Sequence, residues 1–216
     1  MGNSRVYKKW IFKSKKIIGG SLADNEVSEI VDAMHNVPNM ILIGSTARNS
    51  GKTALAVSII NEYKSNRPVA ALKVTTIAEK NRKCIRGGEG CGTCSRLKGN
   101  FEILEELNTA SNKDTSLLLA AGAEKVYWLK ALKSDVLEGF LKFISLLPEN
   151  MLIVCESNSL RNVVKPGAFI MVKNVGNNQI KNSAMQVINQ ADIIYENDLK
   201  DDFGSIITEI ENIINL

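Results

Sequence analysis

Ile41-Leu42-Ile43-Gly44-Ser45-Thr46-Ala47-Arg48-Asn49-Ser50-Gly51-Lys52-Thr53 runs from a continuous apolar stretch through small and polar residues into a helical pattern. Met40 to Ile43 reads as a strand buried on both faces. Gly51 to Lys64 reads as a helix, with Leu55, Val57, Ile59 and Ile60 supplying apolar contacts. Strand, small-residue loop and helix in this order let backbone amides converge on phosphate oxygens, helped by the positive end of the helix. Thr46, Ala47, Arg48, Asn49, Ser50, Gly51, Lys52, Thr53 and Ala54 are therefore the candidate phosphate-binding residues. Lys52 is placed to neutralise the β- and γ-phosphates of ATP or GTP, and Thr53 to put its hydroxyl on Mg²⁺. The usual pattern has glycine five residues before Gly51, where this chain has Thr46. Arg48 either adds a phosphate contact or faces solvent.

Outward from this stretch the pattern alternates. Asp24 to Asn36 carries Val27, Ile30, Val31 and Met34 at helical spacing and reads as a leading helix that includes His35, the single histidine. After Pro68, Val69 to Val74 is a second strand. Phe101 to Leu107 fits helix or extended chain, and Asp114 to Ala121 is helical with Asp114 as its N-terminal cap. Lys125 to Leu129, Met151 to Cys155, Ala168 to Val172 and Ile193 to Tyr195 are strand-like. Asp135 to Leu146, a segment after Asn182 and Phe203 to Ile214 are the remaining helical stretches. Such alternation predicts the α/β class, as a three-layer α/β/α P-loop NTPase with a mostly parallel sheet. Residues 1–37 form a basic N-terminal extension and helix, and residues 38–216 the nucleotide-binding domain, with a cysteine-rich insertion at 80–98.

Composition narrows the function. An apolar share of 44% supports a packed core, and the net charge of +4 is mild. Arg5, Lys8, Lys9, Lys13, Lys15 and Lys16 carry much of that excess, as a solvated tail or an acidic-surface contact; Trp10, Ile11 and Phe12 sit among them. Aromatic residues make up only 6% and no recognition motif is visible, so nucleic acid is not the expected partner. No apolar run approaches the roughly 18 residues of a membrane span, and no secretory signal is visible. The expected location is the cytoplasm, where neighbouring thiols serve more often as metal ligands or redox groups than as disulfides.

Two acidic positions follow predicted strands or open helices. Glu156 lies just beyond an apolar strand, so it reaches the carboxyl edge of the sheet and either holds Mg²⁺ or is a solvated strand-end acid. Asp114 either orients an attacking water, joins the metal's water shell, or only caps its helix. Lys73 ends the second strand, available to phosphate, to Asp114 or to solvent. Lys52, Asp114 and Glu156 are thus the candidate catalytic set. Cys84, Cys91 and Cys94 lie in a glycine-rich stretch and supply three thiolates, one short of a closed tetrahedral site. They hold zinc or an iron–sulfur cluster, or else are free thiols or a redox pair. Cys155 is read as a buried apolar residue facing the core, opposite Glu156.

Several stretches together resemble the MobB family, GTP-binding accessory proteins of molybdenum-cofactor biosynthesis. The family's first strand, P-loop and helix resemble Met40 to Ile60, and its second strand resembles Ala71-Leu72-Lys73-Val74-Thr75-Thr76. Lys113-Asp114-Thr115 through Ala121-Gly122-Ala123, and Ile153-Val154-Cys155-Glu156-Ser157, are similar to two later motifs. Ser157 stands where the family has glycine, the histidines that follow the second-strand lysine are absent, and Lys173-Asn174 and Asn197-Asp198 only echo a guanine signature. The resemblance covers roughly residues 38 to 175. It implies Mg²⁺-dependent GTP binding and slow hydrolysis in molybdopterin guanine dinucleotide biosynthesis, a molybdopterin-pathway enzyme as partner, and a homodimer. The alternatives are a metal-delivery GTPase of the nickel-insertion type, an ATP-dependent small-molecule kinase, and a non-catalytic nucleotide-binding module.

Overall fold

A computed structural model describes residues 34–78, 97, 99–176, 179–198 and 203–214. All but Met34 belong to the unit His35–Leu216. The basic cluster at 5–16, most of the expected leading helix, and Cys84, Cys91 and Cys94 lie outside the described residues.

Among the described residues the strands are β1 (His35–Ser45), β2 (Val69–Ile77), β3 (Phe101–Glu105), β4 (Lys125–Leu132), β5 (Leu152–Glu156), β6 (Val164–Asn174) and β7 (Ile193–Asn197). The α-helices are α1 (Lys52–Tyr63), α2 (Asp114–Ala120), α3 (Val136–Ile144), α4 (Asn182–Met185) and α5 (Gly204–Ile214). The strands form one sheet in the order β3-β4-β2-β5-β1-β6-β7. Every neighbouring pair is parallel except β3 with β4. The α/β class and the mostly parallel sheet agree with the alternation in the sequence.

Residues 40–45 of β1 are buried without interruption, because a central parallel strand has helices over both faces. Ile41, Ile43, Ala71 and Val154 meet Leu55 and Ile59 of α1, Leu118 of α2 and Ile206 and Ile210 of α5. Leu42, Leu72, Cys155 and Met171 meet Phe140 and Phe143 of α3, with Ala184 and Val187. Both phenylalanines are fully buried, and truncating a side chain of that kind to alanine costs about 3–5 kcal/mol.

Two local expectations change and one open alternative is settled. His35 and Asn36 do not close a helix; they open β1 opposite Val164 and Lys165, where β6 supplies a ladder that outweighs local spacing. Asp114 is the first helical residue of α2, and Lys113 occupies the cap position in extended conformation. Phe101 to Leu107 resolves to β3 as far as Glu105, antiparallel to β4.

The six parallel strands deliver their carboxyl ends to one edge, which is where open α/β sheets bind ligands. A cavity of about 250 Å³ lined by His35, Pro38, Ile144 and Pro148 lies at the opposite edge. Burial holds the His35 imidazole below its ordinary pKa, and its ring stands edge-on to Phe140 at 6.5 Å, which makes it a structural histidine.

Candidate functional site

Between β1 and α1 the chain forms a closed loop. Ser50 Oγ donates to Ala47 O at 3.0 Å, and Ser45 Oγ to the same carbonyl at 2.8 Å. Asn49 and Gly51 have φ of 54° and 87°; the second value is cheap only for glycine. Among the described residues, positive φ outside glycine occurs only at Asn49 and Asn150. The backbone at Thr46 therefore does not need the glycine usual there. Thr46 is fully buried and its Oγ1 has no hydrogen-bond partner. Arg48 and Asn49 are exposed at the tip, and Ala54 packs on the core. Gly51 caps α1 without a side-chain hydrogen bond, and the first turn carries no acid. No side chain of the helix itself thus screens the positive end of α1.

The loop is clamped from outside. Asn158 accepts from Ser45 N at 2.8 Å and donates to Ser45 O at 2.9 Å, standing in for a strand partner. Gly44 makes room for it, since a Cβ there would sit 3.0 Å from Asn158 Oδ1. Asn197, at the end of β7, donates to Ser50 O at 3.1 Å. Lys181 N donates to Thr46 O at 2.9 Å. Two ammonium groups converge on the loop: Lys52 Nζ donates to Ser45 Oγ at 3.0 Å and Lys181 Nζ to the same oxygen at 3.1 Å.

Sheet register assembles the acidic side. Glu156 is paired with Ile43 of β1 and with Lys73 of β2, so all three share the face covered by α1 and α2. Glu156 is only 4% exposed, and its Oε1 has no hydrogen-bond partner. Burial pushes its carboxyl pKa up and the charge of Asp114 adds to this; Lys52, the Thr53 hydroxyl bonded to it and Lys73 pull the other way. Lys73 Nζ is ion-paired with Asp114 Oδ2. The start of α2 is held by Thr115 Oγ1, which donates to Glu106 Oε2 at 2.7 Å. That bond, with a second from Asn108 N, keeps the Glu106 carboxyl below its ordinary pKa.

Lys52, Thr53, Glu156, Asp114 and Lys73 are thus brought together at one edge from four elements, although the first and last of them in sequence lie far apart. Cys155 faces the other way into the core, where burial drives its thiol pKa well up. It cannot join the Glu156 side. Among the described residues no group of three or more His, Cys, Asp or Glu side chains is arranged to hold a metal ion. Ser157 Oγ accepts from Leu160 N at 3.1 Å and so starts the turn after β5. Lys173 pairs with Glu196, and Asn174 Oδ1 accepts from Gly176 N, so this echo of a guanine signature is engaged locally. Lys181, Asn158 and Asn197 were not singled out for the phosphate loop from sequence. Only their position at the carboxyl edge, after β5 and β6 and at the end of β7, could have flagged them.

No protein-family model, curated protein or solved structure matches the chain. Among the described residues no helix is long and apolar enough to cross a membrane.

Proposed function

We propose that this protein is a P-loop NTPase that binds a nucleoside triphosphate with Mg²⁺ and hydrolyses it slowly. Its resemblance to MobB proteins favours GTP and an accessory role in molybdopterin guanine dinucleotide biosynthesis. The observation that supports nucleotide binding is the convergence of Lys52, Thr53 and the buried Glu156 at the mouth of a loop that opens onto the amide end of α1. Thr53 and Glu156 offer hard oxygen donors, and the Glu156 oxygen without a hydrogen-bond partner fits a divalent cation. Mg²⁺ held by those two residues would offset charge on the terminal phosphates. Lys52 and the loop amides bind the phosphate oxygens. Asp114, held by Lys73, orients a water for in-line attack and accepts its proton. No covalent intermediate is required, since the groups act by position and charge.

Calorimetric titration with GTP and ATP, each with Mg²⁺, tests this on the wild type and Lys52→Ala. The wild type is expected to bind GTP more tightly. Lys52→Ala is expected to lose phosphate binding while still folding, as a cooperative thermal melt checks. Nucleotide affinity retained by Lys52→Ala would sink the P-loop assignment. ATP preference would move the reading to the small-molecule kinase.

A further inference from the structure

Among its described contacts the phosphate loop has a feature that no P-loop reading needs: a second lysine. Lys181 follows β6, on the side of β1 opposite Glu156. Its backbone N–H is bonded to Thr46 O at 2.9 Å, and Thr46 N in turn to Val172 O at 3.0 Å. Asn158 extends the same tie, reaching Ser183 Oγ at 3.4 Å as well as both backbone groups of Ser45. The residue is thereby fixed in register with the loop. Its Nζ donates to Ser45 Oγ at 3.1 Å, the acceptor that Lys52 uses at 3.0 Å. The two ammonium groups thus stand within two hydrogen-bond lengths of each other, a spacing that one polyvalent anion can bridge. Next in the chain after Ser45, Thr46 is fully buried and its Oγ1 has no hydrogen-bond partner.

We propose that Lys181 is a second phosphate-binding cation, supplied in cis, that contacts the terminal phosphate and makes the site favour triphosphate over diphosphate. This rests on the nucleotide reading above. The P-loop lysine reaches the β- and γ-phosphates, so a cation sharing its acceptor at the entrance of the loop stands at the same end of the chain of phosphates. An ammonium on a phosphate oxygen is a charge-assisted hydrogen bond, and its loss falls on the ligand that carries the extra charge.

The test uses base-free probes, Mg²⁺ tripolyphosphate and Mg²⁺ pyrophosphate, alongside GTP and ATP. Wild type, Lys181→Met, Lys181→Gln and Lys181→Arg are compared by calorimetry, with thermal melts as the check on folding. Lys181→Met and Lys181→Gln are expected to weaken tripolyphosphate binding ~10-fold or more while changing pyrophosphate binding far less. Lys181→Arg is expected to restore most of the difference. Unchanged tripolyphosphate affinity, or equal losses on both probes, would overturn the proposal and leave the nucleotide reading standing. A wild type that binds none of the four ligands would overturn both.

Discussion

Glu156 is a residue whose burial disfavours its charged form and whose carboxylate the proposed nucleotide site would use. It is buried between two lysines and an aspartate, and its carboxyl pKa lies above the ordinary value of 4.5. A raised carboxyl pKa means that the folded state binds more protons than the unfolded chain between the two pKa values. The contribution is complete below 4.5 and is lost as pH rises through the folded-state value. As pH rises above 4.5 the ligand-free protein therefore loses stability at this residue, which faces Lys52, Lys73, Asp114 and the Thr53 hydroxyl. Glu156→Gln is expected to melt higher than wild type at pH 8 in the presence of a chelator, with the gain shrinking towards pH 5. The same variant is expected to lose ~10-fold or more of its Mg²⁺-dependent nucleotide affinity. A variant that melts lower than wild type at pH 8 would contradict the burial argument. The Lys73–Asp114 pair is different in kind. Its side chains are 29% and 42% exposed, so it adds at most about 1 kcal/mol to stability and matters for where Asp114 points.

At the level of elements, β1 and its loop depend on a side chain 113 residues away. Asn158 satisfies the N–H and the C=O of Ser45, both in a buried setting. Asn158→Ala leaves two buried backbone groups unpaired and is expected to cost about 2–4 kcal/mol in urea unfolding of the ligand-free protein. A change under about 0.5 kcal/mol would mean that the loop end is satisfied some other way. The strand, loop and helix around Lys52 could be read from sequence because they are local: apolar run, small residues, helical periodicity. Asn158 could not, since an asparagine after a strand looks like any turn residue until the strand beside it is known. The start of β1 shows the converse. Val27, Ile30, Val31 and Met34 continue a helical period towards His35, but Val163 and Val164 of the neighbouring segment capture that residue as strand.

For the whole molecule, strand order is what makes a site. Because β5 lies between β1 and β2, Glu156 stands in register with both the loop strand and Lys73. The antiparallel β3 has a second consequence: β2 ends at Ile77 on the carboxyl edge and β3 begins there at Phe101. Both attachment points of the segment with Cys84, Cys91 and Cys94 are therefore on the edge that carries the loop between β1 and α1. If those thiols hold zinc or an iron–sulfur cluster, metal assayed on purified wild type should be lost from the Cys91→Ser, Cys94→Ser double variant. Equal metal content in the two proteins would remove the thiols as its ligands. The α/β class, the strand–loop–helix unit and the candidacy of Lys52, Thr53, Asp114 and Glu156 were legible in the sequence, because periodicity and short-range spacing encode them. The burial of Glu156, the Lys73–Asp114 pair, the clamp by Asn158 and the arrival of Lys181 beside Lys52 were decided only by the tertiary structure. Each depends on which strands lie side by side, and that order follows from packing both faces of one sheet rather than from any local stretch of chain.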